Sequence, residues 1–479
     1  MCTRSSPPLV VLFAAVVSSC FHFLLLLPGN VSSFVPTHTT TRQSLAQQHF
    51  QQQQHCRQHQ QLHTAAAALF EIPSWKDLAA VTQCDRHEQP VAVNGAAYSS
   101  HPENLGGSSS SNSRPILYRE RHGWCPYSER VWIALETKGI EYDTIYIDNI
   151  YGRPNWYGGN TPQVKWEDGT VQSESMDLVR EIDRRYDTTV SLYPQDIHDE
   201  VVNKSERVFR NIFPKKARPS SRAAFLFRYD GTPLWRNEFE KTLRETDALL
   251  GETKNEGSFF CGDRFTAADV CWAPFLERYA GQLPCLHEGL DPKCPDTYPH
   301  LHRWYRAMET KVPAYACRVR GDPSSWRKVL TMAGFGNAGA LPPLVSERME
   351  ELKRQETKPL SADERADQQR LWDEYAVDRP YVAASPNTEA AAVLIRNRGN
   401  IRKDALKNYN DGDTITDLDE GMRSLAVLLC DEGSFSQERV DACRERCGES
   451  ARSLAAFLNE RMCVPRDMGA LSASYFKRF

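Results

Sequence analysis

The sequence predicts a small α/β domain, then an all-helical domain, then a further, mostly helical C-terminal region. Three observations predict it. Short apolar runs between residues 116 and 186 follow the order strand, helix, strand, then strand, strand, helix. From residue 196 to 326 the apolar spacing is almost wholly helical. Residues 343–479 are helical in pattern again, with no repeat period.

The first domain is expected over 114–190. Ile116-Leu117-Tyr118 reads as a short buried strand. A loop carries Cys125 and Pro126. Val131, Ile133, Ala134 and Leu135 then mark a helix that stops at Gly139. "EYDTIYID" (141–148) alternates and is a strand. "QVKW" (163–166) and "TVQS" (170–173), joined by "EDG", form a hairpin. In "ESMDLVREIDRRY" (174–186), Met176, Leu178, Val179 and Ile182 fall on one helical face.

The second domain is expected over 196–330. Thr266-x-x-Asp269 opens the helix "FTAADVCWAPFLERY" as a capping box, in which hydroxyl and carboxylate satisfy free N–H groups. Pro299 stands near the start of another helix, where its missing N–H costs nothing. "GFGNAGALPP" (334–343) is a linker. Beyond it, 343–479 is expected to be a separable helical module. On that reading, its removal leaves the chemistry of the first domain within about tenfold. Cys430, Cys443, Cys447 and Cys463 are expected to pack in its helices. Cys443 and Cys447 lie four apart, but no second ligand pair accompanies them.

The N-terminus stands apart. Arg4, the apolar run Leu9–Leu27 and the small-residue exit "PGNVSSFVP" describe a signal peptide, assigned to 1–33. Residues 34–70 contain no Asp or Glu and are rich in Thr, Gln, His and Arg, which is transit-peptide character. With Phe34 beside the cleavage site, the pair resembles the two-part plastid presequence of algae with secondary plastids. A plastid location follows, with secretion or the ER as the alternative. Residues 71–113, including "NLGGSSSSNSRP", are expected to be linker. Net charge is −4 and no basic stripe appears, so nucleic acid is not an expected partner. The chain has 14 Cys; without Cys2, Cys20 and Cys56 eleven remain, an odd number in a long chain, which suggests reduced thiols.

Cys125 carries the chemistry. A thiol attacks as thiolate, and a helix N-terminus and nearby cations favour that form. Cys125 sits at such a terminus, with Arg121 and Arg130 close in sequence. His122 is a weaker candidate for its base. In a two-cysteine redox motif the fourth position would hold a resolving thiol; here Ser128 stands there. An external thiol must then resolve Cys125, and glutathione is the usual small one. Pro162 in "GNTPQV" precedes a strand; a cis peptide there would bring the Thr161 backbone beside Cys125, where it could pair with a peptide ligand. Glu174-Ser175 opens a helix. It either caps that helix or holds the carboxylate and amine of a γ-glutamyl group.

These residues resemble a cysteine-type glutathione transferase of the lambda class, near the omega and dehydroascorbate-reductase classes. The resemblance spans 115–325 and is carried by "CPYSERVWIALETKGI", "RPNWY", "NTP", "ESMDLVREID", "FTAADVCWAPFLERY" and "YPHLHRWYRAM". It implies a thioredoxin-like domain followed by the all-α transferase C-terminal domain. It implies Cys125 as the catalytic cysteine, and glutathione binding by Pro126, Tyr127, Ser128, Thr161, Pro162, Glu174 and Ser175. Asp269 matches the family's structural capping aspartate. Asn160-Thr161 stand where the family usually has Lys-Val, and the lost lysine weakens a contact with the glycyl carboxylate. Glutathione is implied as cosubstrate, with no metal and no tightly bound cofactor. A second substrate would be small and hydrophobic, or glutathionylated. The expected state is a monomer or weak dimer, with a protein partner for the C-terminal module. Dehydroascorbate reduction and non-catalytic ligand binding are the competing readings.

Overall fold

The computed structural model describes residues 71–83, 92–94, 114–148, 153–213, 236–252, 257–331, 342–356, 360–408, 415–430, 433–477 and 479. The expected signal peptide, the transit-peptide-like segment and the Gly/Ser stretch 104–113 lie outside the described residues.

Two elements fall where linker was expected. α1 (Trp75–Thr82) starts at a capping box in which Ser74 and Asp77 satisfy each other's backbone N–H. Leu78 and Ala79 are buried against helices far along the chain. β1 (Ala92–Asn94) then joins a sheet. The sequence hid both because neither is long enough to show a period, and each is stabilised by distant residues.

β2 (Ile116–Glu120) continues two residues past the expected strand, through Arg119 and Glu120. α2 (Pro126–Thr137) follows, and Gly139, in the left-handed region at φ 65°, turns the chain out of it. β3 (Asp143–Ile147), β4 (Gln163–Lys165), β5 (Val171–Ser173) and α3 (Ser175–Arg185) complete the α/β part. The sheet order is β1-β3-β2-β4-β5; β1, β3 and β2 run parallel, while β4 and β5 are antiparallel additions. β1 covers the β3 edge, whose backbone groups would otherwise lack a strand partner. Leu117 and Val164 from the sheet pack on Val131, Leu135, Leu178 and Ile182 of α2 and α3.

The helical part comprises α4 (198–212), α5 (Arg236–Gly251), α6 (Ala267–Leu286), α7 (Pro299–Lys311) and α8 (Pro323–Val329). α6 is buried along nearly its whole length and is the spine of this part. Its aromatic residues and those around it share one core with the sheet and α2. Asp269, in the first turn of α6, is wholly buried. It accepts from the backbone N–H of Phe260 and Thr266, the Thr266 hydroxyl and the Trp304 indole.

The same bonds make Asp269 a sharp test of the fold. Asp269→Ala leaves several buried donors unpaired, at about 1–3 kcal/mol each, so a loss near 4 kcal/mol is expected in denaturant unfolding. Burial is the largest influence on the Asp269 carboxyl and pushes it up to about 6 from an ordinary 3.8. The folded chain therefore holds this proton more tightly than the unfolded chain. The contribution of Asp269 is greatest below its unfolded value, falls as pH rises through about 6, and is flat above. Two units correspond to roughly 3 kcal/mol. Unfolding midpoints from pH 4 to 8, compared with Asp269→Asn, check this: the variant should lack that decline.

The C-terminal region comprises α9 (Pro343–Glu356), α10 (Ala362–Ala376), α11 (Pro386–Asn408), α12 (Ile415–Leu429), α13 (Gln437–Arg461) and α14 (Ala470–Lys477). α1 and α11–α14 build a second core around Leu78, Leu394, Leu425, Leu454 and Phe476. Trp75 donates to Asp419, and Arg423 donates to the carbonyls of Ile72 and Pro73.

The region is not the separable module expected. The described residues between 71 and 479 fall in one compact unit. Val345 of α9 is buried in the main core, with Met349 and Leu352 packed against it. Leu371, Trp372 and Tyr375 of α10 share a cluster with Ala314 and Cys317. Cys443 and Cys447 are buried in α13, whereas Cys463 is buried in a non-helical turn after it. Among the described residues no group of three or more His, Cys, Asp or Glu could hold a metal ion.

Candidate active site

The site forms where β2 gives way to α2. Glu120, at the end of β2, is buried, and its two carboxylate oxygens accept from the backbone N–H of His122 (2.6 Å) and Trp124 (2.8 Å). That closes the turn. Gly123 within it sits at φ 75°, which glycine adopts without a steric penalty. A Cβ there would stand 3.8 Å from the Arg466 backbone nitrogen and 3.9 Å from the Pro465 ring. The turn therefore lies against the C-terminal region.

Cys125 enters α2 with extended backbone, and Pro126 takes the first helical position. The thiol is free and half-buried. Its Sγ lies 3.7 Å from the Thr161 carbonyl oxygen, as donor to it. The register explains the meeting. Tyr118 of β2 pairs with Gln163 of β4, so the chain entering β4 passes beside the turn leaving β2. The Thr161–Pro162 peptide is cis, as the sharper reading of that proline expected. Asn160, the preceding residue, accepts the Tyr157 hydroxyl on its carbonyl at 3.0 Å.

Glu174 and Ser175 stand at the start of α3, and neither side chain caps that helix. Glu174 is exposed and holds φ 71°, a left-handed conformation costing a non-glycine residue about 1 kcal/mol or more. Ser175 is buried, and its hydroxyl accepts from Arg130 at 3.3 Å. Tyr127 is exposed, with its ring edge-on to Phe275 at 5.8 Å. Pro126 and Ser128 are buried, and the Ser128 hydroxyl has no hydrogen-bond partner. Of the named residues, Cys125, Thr161 and Pro162 come together; Ser128 turns inward.

The cations expected near Cys125 are engaged elsewhere. Arg121 pairs with Asp148 at 2.7 Å. Arg130 is buried, bonds Ser175 and the carbonyl and thiol of Cys271, and lies over the rings of Phe209 and Phe275. His122 stacks on Trp124 at 4.6 Å, and both its ring nitrogens lack hydrogen-bond partners, so it does not serve Cys125 as a bonded base. Burial holds its imidazole below the usual histidine range.

Sequence reasoning missed Glu120 and Arg278. Arg278, from α6, donates to the Trp124 carbonyl at 3.0 Å and to Glu129 of α2 at 2.7 Å. The signal for Glu120 was available: a carboxylate continuing the alternation of a buried strand must find partners.

Residues 124–185 match the family description "Glutathione S-transferase, N-terminal domain" and residues 208–307 match "Glutathione S-transferase, C-terminal domain". Glutathione S-transferase L2, chloroplastic, of Arabidopsis thaliana is 29% identical over 206 residues, covering 42% of this chain and 64% of that protein. This chain thus spans less than two thirds of that relative. A probable glutathione S-transferase DHAR1, cytosolic, of Oryza sativa subsp. japonica is 27% identical over 194 residues, covering 39% of this chain and 80% of its own. Among solved structures, glutathione transferase Omega 3C from Trametes versicolor superposes with a TM-score of 0.34 at 20% identity, covering 42% of this chain and 82% of that one. Residues 124–185 and 208–307 of this chain are therefore similar to the N-terminal and C-terminal domains of glutathione S-transferases.

Proposed function

We propose that the chain is a glutathione-dependent thiol transferase of the cysteine type, nearest the lambda class, with Cys125 as a monothiol nucleophile. The observation that carries this is the Cys125 thiol at the N-terminus of α2, 3.7 Å from the carbonyl that precedes Pro162. The Thr161 backbone is read as the strand edge that pairs with glutathione. Glu174 and Ser175 are read as the γ-glutamyl site, which gives the unusual backbone at Glu174 a purpose. Pro126, Tyr127 and Ser128 shape the first turn of α2.

The reaction has two steps. Cys125 thiolate attacks the glutathionyl sulfur of R–S–SG; the S–S bond breaks, RS⁻ leaves, and Cys125–S–SG forms. Glutathione thiolate then attacks that mixed disulfide, releasing glutathione disulfide and restoring Cys125. With Ser128 at the fourth position, no thiol in the motif competes with the second step. Glutathione is cosubstrate, and the second substrate is small and hydrophobic or glutathionylated. Glutathione-dependent reduction of a small mixed disulfide tests the reading; no turnover by the intact chain would sink it.

Dehydroascorbate reduction is the second reading, favoured by the similarity to the rice protein. The same assay panel with dehydroascorbate separates the two. We read the presequence as plastid-directed and the chain as a monomer or weak dimer. The C-terminal region is read as support for its own transferase domains before any protein partner.

A further inference from the structure

Trp124 stands one residue before the thiol, and both its backbone groups are held from opposite sides. Its N–H donates to Glu120 of β2 at 2.8 Å, and its carbonyl accepts from Arg278 of α6 at 3.0 Å. The peptide plane joining residues 124 and 125 is fixed through that carbonyl. The plane sets the start of Cys125, and so the direction in which Sγ points.

Arg278 is built in to do this. It is buried, with its guanidinium 4.0 Å from the centre of the Trp326 ring. One nitrogen bonds Glu129 at 2.7 Å, one turn into the helix that Cys125 opens. Behind it, Glu277 accepts from the Trp326 indole, the Gly321 N–H and the Tyr315 hydroxyl, each at 2.6 Å. Arg278 cannot swing away: its ring partner is itself tied to the neighbouring carboxylate. Burial raises both Glu129 and Glu277 above the usual carboxylate range, so Arg278 is the fixed positive charge between two acids inclined to keep protons.

We propose that Arg278 is a positioning residue for the Cys125 thiol, acting through the Trp124 carbonyl and the Glu129 carboxylate. It links the helical domain to the reacting sulfur. A lysine has the charge but not the planar fork that reaches both acceptors at once. The inference rests on reading Cys125 as the nucleophile.

The test compares wild type with Arg278→Lys and Arg278→Met, at a temperature where circular dichroism shows a native protein. Two rates at Cys125 are read by mass spectrometry: alkylation by iodoacetamide, a small reagent tolerant of direction, and mixed-disulfide formation with glutathione disulfide, which must meet the thiol from its bound position. Expected is a fall of about ten- to hundredfold in the second rate for both variants, with the first within about threefold. Equal rates with glutathione disulfide in wild type and Arg278→Lys would overturn the proposal. So would a parallel change in both rates, or failure of both variants to fold, since either marks a purely structural arginine. These readouts do not need turnover. If Cys125→Ser retained thiol transfer, the functional reading would fail while the thiol rates still reported on Arg278.

Discussion

Replacing Cys125 by serine is expected to abolish glutathione-dependent thiol transfer while glutathione binding persists. The hydroxyl stays protonated at neutral pH and forms no disulfide, so the first covalent step has no counterpart. A loss of at least about 10³-fold, or about 4 kcal/mol in the barrier, is expected. Binding should survive because the proposed contacts come from Thr161, Glu174 and Ser175, and a serine hydroxyl keeps a donor facing the Thr161 carbonyl that the thiol now meets. The change is also nearly isosteric at a half-buried position, so the fold should hold. Parallel measurements of mixed-disulfide reduction and of glutathione affinity by calorimetry check both halves. Activity within severalfold of wild type would remove Cys125 from the mechanism.

The helix-terminal position of Cys125 was legible because its signals are local. A cysteine followed by proline at a strand-to-helix junction needs only a few residues to be noticed. Thr161-Pro162 was legible for the same reason, and Thr266-x-x-Asp269 announced a capping box that the structure contains. The supports of the site were not legible, since they act across the chain. Arg278 lies 154 positions from the Trp124 carbonyl it holds. α1 shows only two turns of pattern, and its Trp75 finds Asp419 after 344 positions. Arg121 and Arg130 show the converse: nearness in sequence suggested a positive field at Cys125, but better partners, Asp148 and the Cys271 carbonyl, drew them away. Periodicity identified the helices of the last region; it could not say against what their apolar faces pack.

That packing reverses the expectation for removing the region. Deletion of 335–479 should not leave thiol transfer within about tenfold; it should prevent recovery of a stably folded chain. The deletion takes Val345 out of the main core and strips Leu371, Trp372 and Tyr375 from the cluster around Cys317. It also leaves polar groups behind. Glu136 of α2 loses the Tyr375 hydroxyl, and its backbone carbonyl loses Arg379. Lys328 loses the carbonyls of Asn459 and Met462, and Ser325 loses the Val464 N–H. Fully burying a large apolar side chain contributes roughly 1.5–3 kcal/mol, and several such contacts vanish together. Their sum rivals the 5–15 kcal/mol by which a domain is stable at all. The turn at Gly123 would also lose Pro465 and Arg466. A point substitution makes the same test without deletion. A Cβ on Gly469 would fall 1.7 Å from the Cys317 carbonyl oxygen, so Gly469→Ala must push the turn after α13 off the helical domain. Thermal unfolding of both variants should show the loss, and glutathione-dependent turnover should fall with it. A truncated chain that melts like wild type and turns over within tenfold would show that the C-terminal region is an appendage rather than a wall of the two domains before it.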